Sequence, residues 1–118
     1  MGAKGKKKLA QLLTQPAAAL PVIYEATLLP GGVVKRGNVI TQAQAETLRQ
    51  NGQDVVVCGP QHGANMNLAR DIEHKANGPY KRCGPHAWAG QNGLPHYQPD
   101  PRPPTGHTFY ETANRHAL

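Results

Sequence analysis

Three of the four histidines in the last third of the chain each lie in a segment stiffened by Pro or Gly: Lys81-Arg-Cys-Gly-Pro-His86, Leu94-Pro-His96-Tyr97 and Gly106-His107-Thr-Phe-Tyr110. Catalytic groups concentrate in loops held by a rigid scaffold, and imidazole both takes and gives a proton near neutral pH. Two histidines beside Lys and Arg have the parts needed to cleave RNA without a metal. One ring deprotonates a 2′-hydroxyl, the other protonates the leaving 5′-oxygen, and cations stabilise the phosphorane between them. The expected acid/base pair is His86 and His96. His107 and Tyr97 or Tyr110 complete the site, and Lys81 and Arg82 hold phosphate. His62, in Gly59-Pro-Gln-His62-Gly63, precedes a helix N-terminus and is a further candidate phosphate contact. The opposing reading is that these histidines only cap turns and pack against prolines.

Other chemistry is less well supplied. His86, His96 and His107 stand ten and eleven residues apart, with Asp100 between them. Zinc sites usually contain one close ligand pair, so no metal and no cofactor is assigned. Cys58 and Cys83 lack CxxC spacing and read as free thiols. Cys83 follows two cations, which lowers a thiol pKa, yet nothing else marks it as a nucleophile. His74 reads as a solvated helix residue and His116 as part of a frayed terminus. Trp88 and Tyr97 could stack on bases, with core packing the expected role of Trp88.

These residues need a frame. Pro21 to Leu29 reads as a first strand or extended arm, Pro30-Gly31-Gly32 as a turn and Val33–Arg36 as a short strand. Thr41-Gln-Ala-Gln44 fits a capping box that opens a helix, closed by Asn51-Gly52. Asp54-Val-Val-Val-Cys58 is a β-branched run typical of a buried strand. A second helix capped by Asn65 or Asn67 would run through Ala76, with Leu68, Ala69, Ile72 and Ala76 as its apolar stripe, and end at Asn77-Gly78-Pro79. Short strands are expected at Tyr80–Cys83, Leu94–Gln98 and His107–Glu111, with Asn92-Gly93 as a turn and 100–104 as a stiff loop. The expected class is α+β, with N-terminal helices packed on a small, mostly antiparallel sheet.

Charge and length bound the partners. The 118 residues carry thirteen Lys+Arg against seven Asp+Glu, a net +6. Four of the lysines are Lys4, Lys6, Lys7 and Lys8; without them nine basic residues face seven acidic. Residues 1–21 therefore read as a basic leader or linker, and 22–118 as one domain. Gln11, Thr14, Gln15 and Pro16 interrupt any signal-peptide core, and no run approaches the ~18 apolar residues of a membrane span.

Several pieces taken together resemble a known group. They are Gly37-Asn-Val-Ile-Thr41 through Gly59, Leu68-Ala-Arg-Asp-Ile-Glu73, and Gly78-Pro79-x-Lys81-Arg82-x-x-Pro85-His86. Gly90-x-x-x-Leu94-Pro95-His96-Tyr97-Gln-Pro99 and Gly106-His107-Thr-Phe-Tyr110-Glu complete the set. The run, about residues 30–115, is similar to C-terminal toxin domains of bacterial polymorphic toxins, which ride on PAAR, Rhs or contact-dependent-inhibition carriers. That resemblance implies a barnase/EndoU/colicin/RelE-like fold and a metal-independent endoribonuclease, a hydrolase of interbacterial competition. It also implies an RNA substrate, a cognate immunity protein, a monomeric domain without membrane contact, and delivery on a secreted carrier into a target cytoplasm. Residues 1–21 would then be the stub of the carrier. The alternatives are a toxic enzyme of another class, such as a metal-dependent DNase or a nucleotide-modifying enzyme, and a non-enzymatic binding module.

Overall fold

Val22 to Leu28 alternates its side chains between two faces: Ile23 enters one apolar cluster, while Tyr24, Ala26 and Leu28 pack against another. Period-2 alternation of this kind requires a strand covered on both sides. The structure, a computed structural model, describes residues 20–118. The expected leader lies outside the described residues except for its last two positions. The described chain forms β1 (Val22–Leu28), β2 (Val34–Ile40), α1 (Gln42–Gln50), β3 (Val55–Cys58) and α2 (His62–Asn77), then β4 (Tyr80–Cys83), β5 (His96–Pro99) and β6 (Thr108–Tyr110). Two 3-10 turns, Pro30–Gly32 and Ala87–Asn92, complete it.

The six strands form one mixed sheet in the order β2-β1-β3-β6-β5-β4. Every neighbouring pair is antiparallel except β3 with β6, which run parallel with Val55 opposite Thr108. The class is α+β, but the expected arrangement is corrected: among the described residues the helices follow the first strands and do not precede the sheet. The reason lies in pairing. Pro30-Gly31-Gly32 folds β1 and β2 into a hairpin, and β1 then pairs with β3, so the leading segment is committed to the sheet. Strand β2 also runs past Gly37, which the sequence reading takes as its end, because β1 supplies partners as far as Ile40.

Both helices cover one face. Ala45 of α1 and Ala69 and Ile72 of α2 pack with Ile23, Val55, Val57, Tyr97 and Tyr110. The capping box is present: Thr41 Oγ1 accepts the Gln44 N–H at 3.1 Å, and Gln44 Oε1 accepts the Thr41 N–H at 2.9 Å. Helix α2 begins at His62, ahead of the expected Asn caps. Asn65 is instead buried, and its amide donates to the carbonyls of Gly59 and Glu111. The other face holds Val34, Val56, Cys58, Leu94, Phe109 and Ala117. Leu94, which follows the second 3-10 turn, and Ala117 of the C-terminal segment pack onto it. That segment is docked rather than frayed, since Leu118 N–H donates to Val34 O and Arg36 N–H to Leu118 O.

A charged pair sits inside the helix layer. Arg49 and Glu73 are fully buried and their Nε and Oε1 lie 2.8 Å apart. Glu73 also accepts from Thr108 Oγ1 at 2.9 Å and Asn77 Nδ2 at 2.6 Å. Arg49 Nη1 donates to the carbonyls of Gln53 and Thr105. Removing one partner strands a charge in a dry interior. Glu73→Ala is expected to cost about 3–5 kcal/mol, read as a lower urea midpoint by circular dichroism. The apolar double variant Arg49→Met/Glu73→Leu should recover much of that loss.

Candidate functional site

The parallel pairing of β3 and β6 sets the residues that precede them side by side. Asp54 precedes β3 and His107 precedes β6. Asp54 Oδ1 accepts the His107 backbone N–H at 2.7 Å and its ring Nδ1–H at 3.0 Å. A carboxylate only accepts, so the proton of the neutral ring lies on Nδ1 and Nε2 carries the free lone pair. Antiparallel β5 then brings His96 opposite Phe109. The loop after β4 carries His86 over the same face.

The three imidazoles converge. Ring centroids are 4.6 Å apart for His96–His107, 5.7 Å for His86–His96 and 6.2 Å for His86–His107. Fully buried Phe109 forms the floor, stacked under His107 at 4.9 Å and meeting the edge of His96 at 5.2 Å. The histidines differ in depth. His96 is 3% exposed, the His107 side chain 16%, and His86 is open to solvent. Gly32 closes on His86 from the first 3-10 turn, and a Cβ there would overlap the His86 Cβ.

Burial pushes His96 down to about 4, and the neighbouring rings of His107 and His86 add to the shift. His96 is therefore neutral at pH 7. Its Nδ1 lies 3.3 Å from Leu94 O, which as an acceptor holds the proton on that nitrogen.

The remaining candidates are placed elsewhere. Tyr97 and Tyr110 stack on each other at 5.6 Å in the core beneath the helices, across the sheet from the histidines, and burial raises both hydroxyls. Lys81 and Arg82 are divided between the two faces. Register puts Lys81 opposite Gln98 on the histidine side, while Arg82 pairs with Tyr97 and its Nη1 lies 3.8 Å from Met66 Sδ on the helix side. His62 opens α2 beyond the C-terminal end of β3, whereas Asp54 and His107 lie before its N-terminal end. Trp88 is not a core residue: it is 93% exposed. Among the described residues no three His, Cys, Asp or Glu side chains are arranged to hold a metal ion.

Three polar residues escaped the sequence reading. Asp54 looks like an ordinary residue ahead of a strand, and its partner is 53 residues away. Gln98 shares the face of His96 by alternation and sits opposite Lys81 in the ladder. Arg102 donates to Gln98 Oε1 at 3.2 Å and to Gly106 O at 3.0 Å, which puts a guanidinium at the rim beside His107. Gln98 had a legible signal as the residue two places after His96 in an expected strand, and Arg102 as a cation in the Pro-rich loop that leads to Gly106-His107.

No protein-family model matches this sequence, and no curated protein or solved structure matches it.

The depressed His96 has a measurable consequence. Above about pH 6.5 the ring is neutral whether the chain is folded or not, and its environment adds no pH dependence. Between 6.5 and 4 the unfolded ring binds a proton that the native ring refuses, so stability falls as pH drops through that window. The loss is expected to reach about 3 kcal/mol at most. Urea titrations at pH 7 and pH 4 should differ less for His96→Gln than for the parent chain.

Proposed function

We propose that this chain is an antibacterial effector domain that cleaves RNA by metal-independent transesterification. The observation that carries the proposal is the convergence of His86, His96 and His107 over Phe109, with His107 fixed by Asp54. The toxin context rests on the resemblance of the Gly78–Pro99 and Gly106–Glu111 segments to polymorphic-toxin domains.

Depth supports a division of roles among the rings. His107 Nε2 takes the proton of a 2′-hydroxyl, and the 2′-oxygen attacks phosphorus. The bond from phosphorus to the 5′-oxygen breaks, and His86 as imidazolium gives that oxygen a proton. The products are a 2′,3′-cyclic phosphate and a 5′-hydroxyl. The two rings end with exchanged protonation states, which water resets. His96 is too buried and too weakly basic to lead either transfer near neutral pH. It acts as the neutral wall that spaces the other two. Lys81 and Arg102 are the cations on this side for the phosphorane charge, and Arg82 is not.

An immunity protein would neutralise the domain by covering this rim, and an acidic surface suits that task. The reaction would follow delivery into the target cytoplasm on a carrier.

The test is incubation with purified tRNA and total RNA in EDTA. Cleavage should leave cyclic phosphate ends. His86→Ala and His107→Ala should each slow it by roughly 10²–10⁴ without changing the circular dichroism spectrum. Gly32→Ala, whose methyl overlaps His86, should also slow it although no ionisable group is removed. An intact RNA pool at high protein concentration, with toxicity retained in cells, sinks the mechanism.

A further inference from the structure

The one tryptophan of the chain is the residue least explained by the fold. Trp88 stands 93% exposed on the second 3-10 turn, while its neighbour Ala89 supplies the contact with the interior. A ring of that size left wholly in water stabilises nothing in this domain.

The turn beneath it is braced rather than loose. Ala89 N–H donates to His86 O. Arg115 Nη1 donates to Gly90 O at 2.6 Å and to Gly93 O at 3.1 Å. Asn92 Nδ2 donates to His116 O, and His116 N–H to Gln91 O. A Cβ on Gly93 would lie 2.9 Å from His86 O, so the end of the turn closes directly on the histidine that begins it. Trp88 and His86 therefore belong to one rigid unit. The segment from Gly78 to Pro99 contains no acidic residue, and Lys81 is its cation on the histidine face.

We propose that Trp88 is a stacking platform for a nucleobase of single-stranded RNA, flanking the phosphate handled at His86. The proposal deepens the RNA-cleaving reading and rests on it. Every base has a π-face, so such a platform gives affinity with little sequence preference. The braced turn lowers the backbone ordering cost when a base docks.

Tryptophan fluorescence reports this position alone among indoles. The probe is a short 2′-O-methyl oligonucleotide, which lacks the nucleophile and cannot be cleaved, added to the full chain. Saturable quenching is expected. Trp88→Ala should weaken binding of the labelled oligonucleotide roughly five- to 100-fold and raise KM for RNA with kcat nearly unchanged. Trp88→Phe should recover part of the affinity. Absence of quenching together with unchanged affinity and KM in Trp88→Ala overturns the platform, and if RNA is still cleaved the nuclease reading survives that failure. Quenching without any RNA cleavage supports the platform and removes the nuclease. Loss of binding to an acidic protein alone, with oligonucleotide affinity intact, also overturns the platform and reassigns Trp88 to a protein contact.

Discussion

The buried Arg49–Glu73 pair is the constraint on which the rest of the domain depends. It ties α1 to α2 within the helix layer, and through Thr108 Oγ1 it ties both to β6. From its other side Arg49 holds Thr105 by the carbonyl, and Gly106 lies so close that a side chain there would meet both Arg49 and the Gly52 carbonyl. Thr105 and Gly106 lead directly into His107. A buried ion pair contributes little net stability compared with apolar residues of the same size. Its effect here is geometric. One arginine and one glutamate set where the chain leaves its Pro-rich loop and enters β6, and so where His107 begins.

The single parallel pairing in the sheet does the next piece of work. A parallel pair aligns the beginnings of two strands, so Asp54 and His107 arrive side by side and one carboxylate oxygen serves both the ring and the backbone of His107. An antiparallel β6 would have put the other end of the strand there. The pleat then sorts the chemistry by face. His96 and Tyr97 are adjacent in sequence and must point to opposite sides. The imidazole joins the cluster over Phe109 while the phenol joins the core under the helices. The same rule splits Lys81 from Arg82.

Electrostatics across the domain is local rather than global. Outside the first ten residues the cations barely exceed the acids. The folded body holds no strong overall field to draw in a polyanion, and under the proposed function recognition would fall to a small rim. That rim consists of Lys81 and Arg102 beside three imidazoles, with Trp88 projecting from the same turn as His86. Among the imidazoles, His96 is kept neutral by its burial.

Much of the local structure was legible in the sequence because its causes are local. The Thr41/Gln44 cap, the Val55–Val57 run and the Asn77-Gly78-Pro79 stop each depend on residues within a few positions of one another. The clustering of histidines with Pro and Gly marked the C-terminal third for the same reason. Sequence alternation also carried the separation of His96 from Tyr97, because a period of two sends neighbouring residues to opposite faces. What the sequence could not carry was which strands become neighbours, since pairing is settled by packing among segments tens of residues apart. That decided the order of strands and helices, the meeting of Asp54 with His107, the depth that distinguishes His96 from His86, and the exposure of Trp88. Burial and proximity are properties of the assembled sheet, and the chemistry of each imidazole follows from them rather than from its place in the chain.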